Sequence, residues 1–196
     1  MTSVIRQCAH LGGIDPGPFR APGSSRSGHS LPSRSVRLAA SGSMSSYNVP
    51  IDESIYPMPM FTTLTVSDFA RSESFYHAAG FITLAKVPGP DNTTAVVHLR
   101  RRRYQDLLLV AGTPSPGNSR ITFSAHEEDL DALATSLSAV AENPDCVSQP
   151  EDTAWFTTDL NCIDPDSYHL SFTRQRPQDQ HAAAQWAESF DMPEHH

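Results

Sequence analysis

Charged and apolar side chains are both scarce in this 196-residue chain, at 18% and 38%, below the usual globular share. Positive charge is scarcer still. Fourteen Lys and Arg stand against 22 Asp and Glu, for a net charge of -8. That balance disfavours binding to a phosphate backbone, so nucleic acid is not an expected partner. There is no run of 18 apolar residues, which excludes a membrane-spanning helix and leaves no expected membrane partner. Cysteines are few and odd in number: Cys8, Cys146 and Cys162. Their wide spacing argues against a disulfide framework or a cysteine-based zinc site, and fits a reducing, cytoplasmic setting. Nucleophile elbows, phosphate-cradling glycine loops and zinc-helix motifs are also missing.

What is abundant is proline, 16 in all, and five of these sit in a segment whose composition does not favour packing. Residues 1–50 hold 11 Ser, 6 Gly and 5 Pro, with five Arg and a single acid, Asp15. Too little apolar area is present there to offset the entropy of ordering. Two readings stand: a dispensable arm, with Met44 or Met58 as the functional start, or an organelle transit peptide, whose Arg- and Ser-rich, acid-poor composition it shares. The remainder carries nine basic and 21 acidic residues. Such acidity suits solubility or the attraction of a cationic ligand. The expected organisation is an arm over 1–57, a packed domain over 58–176 and a tail over 177–196.

Within the packed part, hydrophobic periodicity predicts strand, helix and three strands, twice over. Met60–Val66 alternates, with Leu64 and Val66 on one face and Phe61, Thr63 and Thr65 on the other. Asp68 is an N-cap candidate for a helix over 68–79, which Gly80 ends. Strands follow at Phe81–Val87, Thr93–Arg103 and Gln105–Ala111. The second round has a strand at Arg120–Ala125 and a helix at Glu127–Ala141 with Leu130, Leu133, Leu137 and Val140 on its buried stripe. Its last strands are expected around Val147, at Thr153–Asn161 and at Ser167–Thr173. The tail over Gln178–Phe190, with Trp186 and Phe190, is expected to form a short amphipathic helix. An internal repeat at this scale is the main fold clue.

Two segments carry a resemblance. FTTLTVSDFARSESFYHAAGF (Phe61–Phe81) resembles the opening signature of the vicinal oxygen chelate superfamily, which includes glyoxalase I, bleomycin-resistance proteins and extradiol dioxygenases. CIDPDSYHLSF (Cys162–Phe172) is similar to its closing turn and last strand. Ser167 stands where the family has Gly, asking a side chain to accept a tight bend. The resemblance implies an α+β fold: two βαβββ modules forming a curled mixed-sheet cleft, with the helices packed outside. Alternation then assigns Phe61, Thr63, Thr65, Arg120, Thr122, Ser124, His169, Ser171 and Thr173 to the concave face.

The family's metalloenzymes take ligands from equivalent strand positions. Here these fall on Phe61, Arg120, Ser171 and either Asp106 or Leu107. Phenylalanine offers no lone pair and a guanidinium repels a cation, so no cofactor is expected. His98, His126 and His169 have no spacing that demands a metal. The non-metal, bleomycin-resistance members bind planar cationic drugs between aromatic and acidic groups at a dimer cleft. By that resemblance Trp155, Phe61 and Asp159 are candidates for stacking and charge neutralisation, with Trp155, Thr157 and Asp159 expected on one strand face. The expectation is a metal-independent binder of a small molecule, an antibiotic among the candidates, acting by sequestration as a homodimer. Two alternatives are kept: a lyase, isomerase or dioxygenase with an atypical metal set, and a regulatory scaffold using the Arg100–Arg103 edge. That arginine run is read first as solvated strand ends or ion pairs to nearby acids.

Overall fold

The computed structural model describes residues 51–54, 58 and 60–190. Nearly all of the expected arm over 1–57 lies outside the described residues, as does the end of the tail from 191. The expected repeat is present. In the first module β1 (Thr62–Val66) leads into α1 (Phe69–Ala78), followed by β2 (Ile82–Pro88), β3 (Thr94–Arg100) and β4 (Asp106–Ala111). The second contains β5 (Arg120–Ser124), α2 (Leu130–Val140), β6 (Glu151–Asp152), β7 (Thr157–Ile163) and β8 (His169–Gln175). A last helix, α3, spans Gln180–Glu188.

Local chemistry sets these boundaries. The Asp68 carboxylate accepts the backbone N–H of Arg71 and starts α1, and Asp129 does the same for α2 through Asp131 and Ala132. Gly80, at φ +84°, turns the chain out of α1 in a conformation that favours glycine.

Each module forms a four-stranded mixed sheet, ordered β1-β4-β3-β2 and β5-β8-β7-β6. The β1–β4 and β5–β8 pairs are parallel and the others antiparallel. The fold is α+β. One apolar core gathers the convex faces of both sheets, with Leu64, Leu99, Leu107 and Leu109 from the first and Phe123, Leu160, Leu170 and Phe172 from the second. Phe75 and Tyr76 of α1 and Leu130 and Leu137 of α2 complete it. Each such side chain contributes roughly 1.5–3 kcal/mol of burial.

The modules meet through this convex layer. Phe81 packs edge-on to Phe123, with ring centroids 5.2 Å apart. The Tyr76 hydroxyl donates to Asp164 Oδ2 at 2.8 Å. Asp166 accepts from the Ser67 and Ser72 hydroxyls and from Arg71. Arg101 is buried across the junction. It donates to the Ala79 and Ser124 carbonyls, pairs with Glu128 and lies over the Phe172 ring.

Four expectations need correction. Val140 is 40% exposed rather than on the buried stripe. The strand around Val147 is a single bridge to Cys162, preceded by a 3-10 turn over Pro144–Cys146. The strand expected at Thr153–Asn161 is interrupted, and β6 precedes the break. Cys146 is disulfide-bonded while Cys162 is free and buried; spacing along a chain does not fix distance after folding, and the inference of a reducing setting loses that support. No helix among the described residues is long and apolar enough to cross a membrane.

Candidate functional site

The second sheet brings together most of the side chains that alternation had placed on one face. Register sets Arg120 beside His169, Thr122 beside Ser171 and Ser124 beside Thr173. Across β7, Asn161 stands beside Ser171 and Asp159 beside Thr173. Arg120 Nη1 reaches over β8 to donate to Asn161 Oδ1 at 3.0 Å. Ser171 sits between these two residues and is buried, at 2% exposure.

Asp159 occupies the other end of this face. Its Oδ1 accepts from the Thr157 and Thr173 hydroxyls at 2.8 and 2.6 Å. Directly opposite, across the β6–β7 pair, stands Glu151. Two carboxylates in cross-strand register repel one another. The nearby cation, Arg176, is engaged by Asp152 and Asp179. Among the described residues neither Glu151 nor Asp159 makes an ion pair. Glu151 was missed in the sequence because it lies in a two-residue strand without a hydrophobic pattern.

Trp155 is not on a strand. It sits, 47% exposed, in the turn joining β6 to β7, and Phe156 beside it has φ +68°. That left-handed residue breaks the alternation that was to align Trp155 with Thr157 and Asp159. Phe156 meets Trp186 of α3 edge-on at 5.9 Å, and Trp186 meets Phe190 at 4.6 Å. The tail helix therefore docks at this end of the second sheet, with no buried residue of its own.

The first sheet's concave face is different. Phe61, 48% exposed, precedes β1, and Thr63 and Thr65 follow on the same face, Thr63 in register with Leu108 and Thr65 with Val110. His98 is in register with Leu108 and Ala85, and Arg100 with Asp106. Asp106 Oδ1 lies 2.8 Å from His98 Nε2 and accepts from Arg100 Nε at 2.8 Å. The Arg100 side chain is fully buried and also donates to the Asp52 and Ser54 carbonyls at 2.7 and 2.8 Å. Residues 52–54 are thus tied down over this end of the sheet. Sequence could not show this network, because its members meet across strands whose register was unknown.

Phe61 and Trp155 belong to different modules. No hydrogen bond or ion pair among the described residues joins a concave-face side chain of one sheet to one of the other.

The arginine run is accounted for by contacts within the chain. Arg100 and Arg101 are engaged as described, Arg102 approaches Glu128 at 3.9 Å, and Arg103 lies over the Tyr104 ring at 5.0 Å. A scaffold edge of free arginines is not what this segment presents.

At the positions where the resemblance would put metal ligands, the concave face holds Phe61, Asp106, Arg120 and Ser171. Leu107, the alternative to Asp106, is in the core. The one carboxylate is already shared by an arginine and a histidine. This donor set does not fit a divalent cation. Among the described residues no group of three His, Cys, Asp or Glu is placed to hold one.

The turn before β8 carries the main titratable perturbation. Burial pushes the Asp164 carboxyl up to about 6, against the Tyr76 hydroxyl and the Tyr168 N–H, which hold it down. Burial and the nearby Asp164 charge push the Tyr76 hydroxyl well up. Ser167 has φ +73°, the strained bend expected where a serine replaces glycine.

No protein-family model and no curated protein matches the chain. Among solved structures it is similar to the glyoxylase/bleomycin resistance protein/dioxygenase domain from Frankia sp. EAN1pec, with 23% identity, a TM-score of 0.50, and coverage of 66% of this chain and 98% of that one. A glyoxalase-related enzyme from Clostridium phytofermentans matches at 11% identity and TM-score 0.49, over 64% of this chain and 100% of that one. A bleomycin-binding protein complexed with bleomycin matches at 20% identity and TM-score 0.45, over 60% and 98%. The fold is that of the glyoxalase and bleomycin-resistance domains.

Proposed function

We propose that this chain is a small-molecule binding protein that sequesters a planar cationic ligand, an antibiotic among the candidates, without changing it. The observation that carries the reading is the Glu151–Asp159 pair. Two carboxylates face each other across a strand pair with no basic partner among the described residues, and an exposed tryptophan stands in the turn between their strands. A bound cation would relieve their repulsion, and an aromatic ring system would stack on Trp155. Hydroxyls of Thr122, Ser124 and Ser171, with Arg120 and His169, would fix the ligand's orientation.

Phe61, Thr63 and Thr65 line the companion face in this reading, and a homodimer would bring that face of one copy against the second sheet of the other. The meeting of the two modules through their core-side faces supports this arrangement, since it leaves exposed side chains such as Phe61, Thr63, Thr122 and Ser124 on the opposite faces to meet a second copy. No metal enters the mechanism, because the donor set on these faces is wrong for one.

Thermal unfolding of the full chain against a panel of cationic aromatic antibiotics tests the proposal. Ligand at a hundred times its dissociation constant adds about 2.7 kcal/mol of stability. Trp155→Ala should erase that gain while leaving the unliganded melting point little changed, since the side chain is half exposed. If every member of the panel leaves the wild-type melting point where it was, the proposal fails.

A further inference from the structure

The first sheet carries a His98–Asp106–Arg100 network to which the ligand reading above gives no role. We infer that His98, on the face of the first sheet opposite the core and 9% exposed, is a proton acceptor that takes the proton of a weakly acidic hydroxyl, such as a phenol or enol, carried on an apolar frame.

Geometry assigns the tautomer. Asp106 is the partner of the Arg100 guanidinium, which is always charged, so its carboxylate is an acceptor and cannot donate. The 2.8 Å contact to His98 must therefore be an Nε2–H donation. In the neutral ring this leaves the lone pair on Nδ1. Nδ1 has no hydrogen-bond partner among the described residues, and it is not one of the sealed, partnerless atoms either. Neighbouring Val97 and Leu99 point into the core at 0% exposure, so His98 points the other way. Around it on that face stand Leu108, Val96, Ala85 and the Thr63 hydroxyl. Asp106 is the positioning residue: it holds the ring's orientation and supports the positive charge that the ring acquires.

Charge selects the ligand class. Among the described residues, Arg100, Asp106 and neutral His98 carry one positive and one negative charge. In the step proposed, the ligand O–H bond breaks and its electron pair stays on oxygen, while the proton forms an N–H bond at Nδ1. The imidazolium then faces an oxyanion, and the hollow remains neutral. An ammonium donor would leave an uncompensated cation against apolar walls, which costs more.

This inference rests on the concave faces taking up ligand, though not on Trp155 or the acid pair. The test uses the full chain and 4-nitrophenol, whose phenolate absorbs visibly. At a pH where the free phenol is neutral, adding protein should raise a saturable nitrophenolate band. His98→Gln should abolish it, and Asp106→Asn should cut the ionised fraction about tenfold. Nitrogen-15 NMR of the wild type, which needs no variant to fold, should show His98 as the Nε2–H tautomer. An Nδ1–H tautomer overturns the inference, as does a wild type that raises no band or a band that survives in His98→Gln. If the antibiotic panel stabilises the chain while nitrophenol stays neutral, only this inference fails; if neither probe binds, the reading of the concave faces fails with it.

Discussion

Both sheets are built to one plan and then furnished differently. In each, a parallel pair of strands is flanked by antiparallel neighbours, and the convex face is apolar and sealed by a helix. On the concave side the first sheet carries a buried Arg100–Asp106–His98 network among aliphatic residues. The second carries the exposed Thr122 and Ser124 and, among the described residues, an arginine without a carboxylate partner at one end and two carboxylates without an ion pair at the other. Register puts these ends four residues apart along β8, about 13 Å. The lesson is that the core-side faces hold the fold, while the opposite faces carry the polar groups on which the proposed recognition rests.

The largest expected effect comes from breaking that division on one strand. Leu107 and Leu108 are consecutive on β4, the first fully buried in the core and the second partly open on the hollow. Leu107→Ala should cost about 2–5 kcal/mol in chemical denaturation, whereas Leu108→Ala should cost under about 1.5 kcal/mol. Equal costs would mean that the concave face is also structural.

Next in size is a pH effect at the junction of the modules. Asp164 titrates at about 6 in the folded chain, against 3.8 for an unperturbed aspartate. The folded state holds this proton more tightly, so the proton favours folding. This contribution is complete below pH 3.8, declines as pH rises through the window to about 6, and is then lost. The two-unit difference corresponds to about 3 kcal/mol. Asp164→Asn should flatten that limb of the stability profile measured by denaturant titration.

A smaller effect sharpens the contrast between the hollows. Glu151→Gln removes one of two facing carboxylates and should stabilise the unliganded chain by a few tenths of a kcal/mol. It should also weaken a cationic ligand by several-fold, measured by calorimetric titration. Unchanged affinity would remove the acid pair from the site.

Much of the fold was readable before any coordinates, because alternation over β1, β5 and β8 is a local signal. Asp68 and Gly80 mark helix ends by equally local chemistry, whereas α2 starts behind its Asp129 cap, later than the expected Glu127. Alternation sets the side chains opposite the core on those strands on one face for the same reason. Trp155 was misplaced because the left-handed Phe156 breaks the period, which nothing in its side chain announces. The His98–Asp106 contact and the Glu151–Asp159 pair depend on register between strands, and one strand's pattern does not encode it. Val140 followed the helical period but is the last residue of α2, and its side chain is exposed.

The most direct test of the hollows as the recognition surface is amide NMR of the full-length, nitrogen-15-labelled chain titrated with metal-free bleomycin. Saturable shifts should cluster in β5, β7, β8 and the turn around Trp155, with α1 and α2 unmoved. Shifts confined to the helices, or none at all, would contradict it.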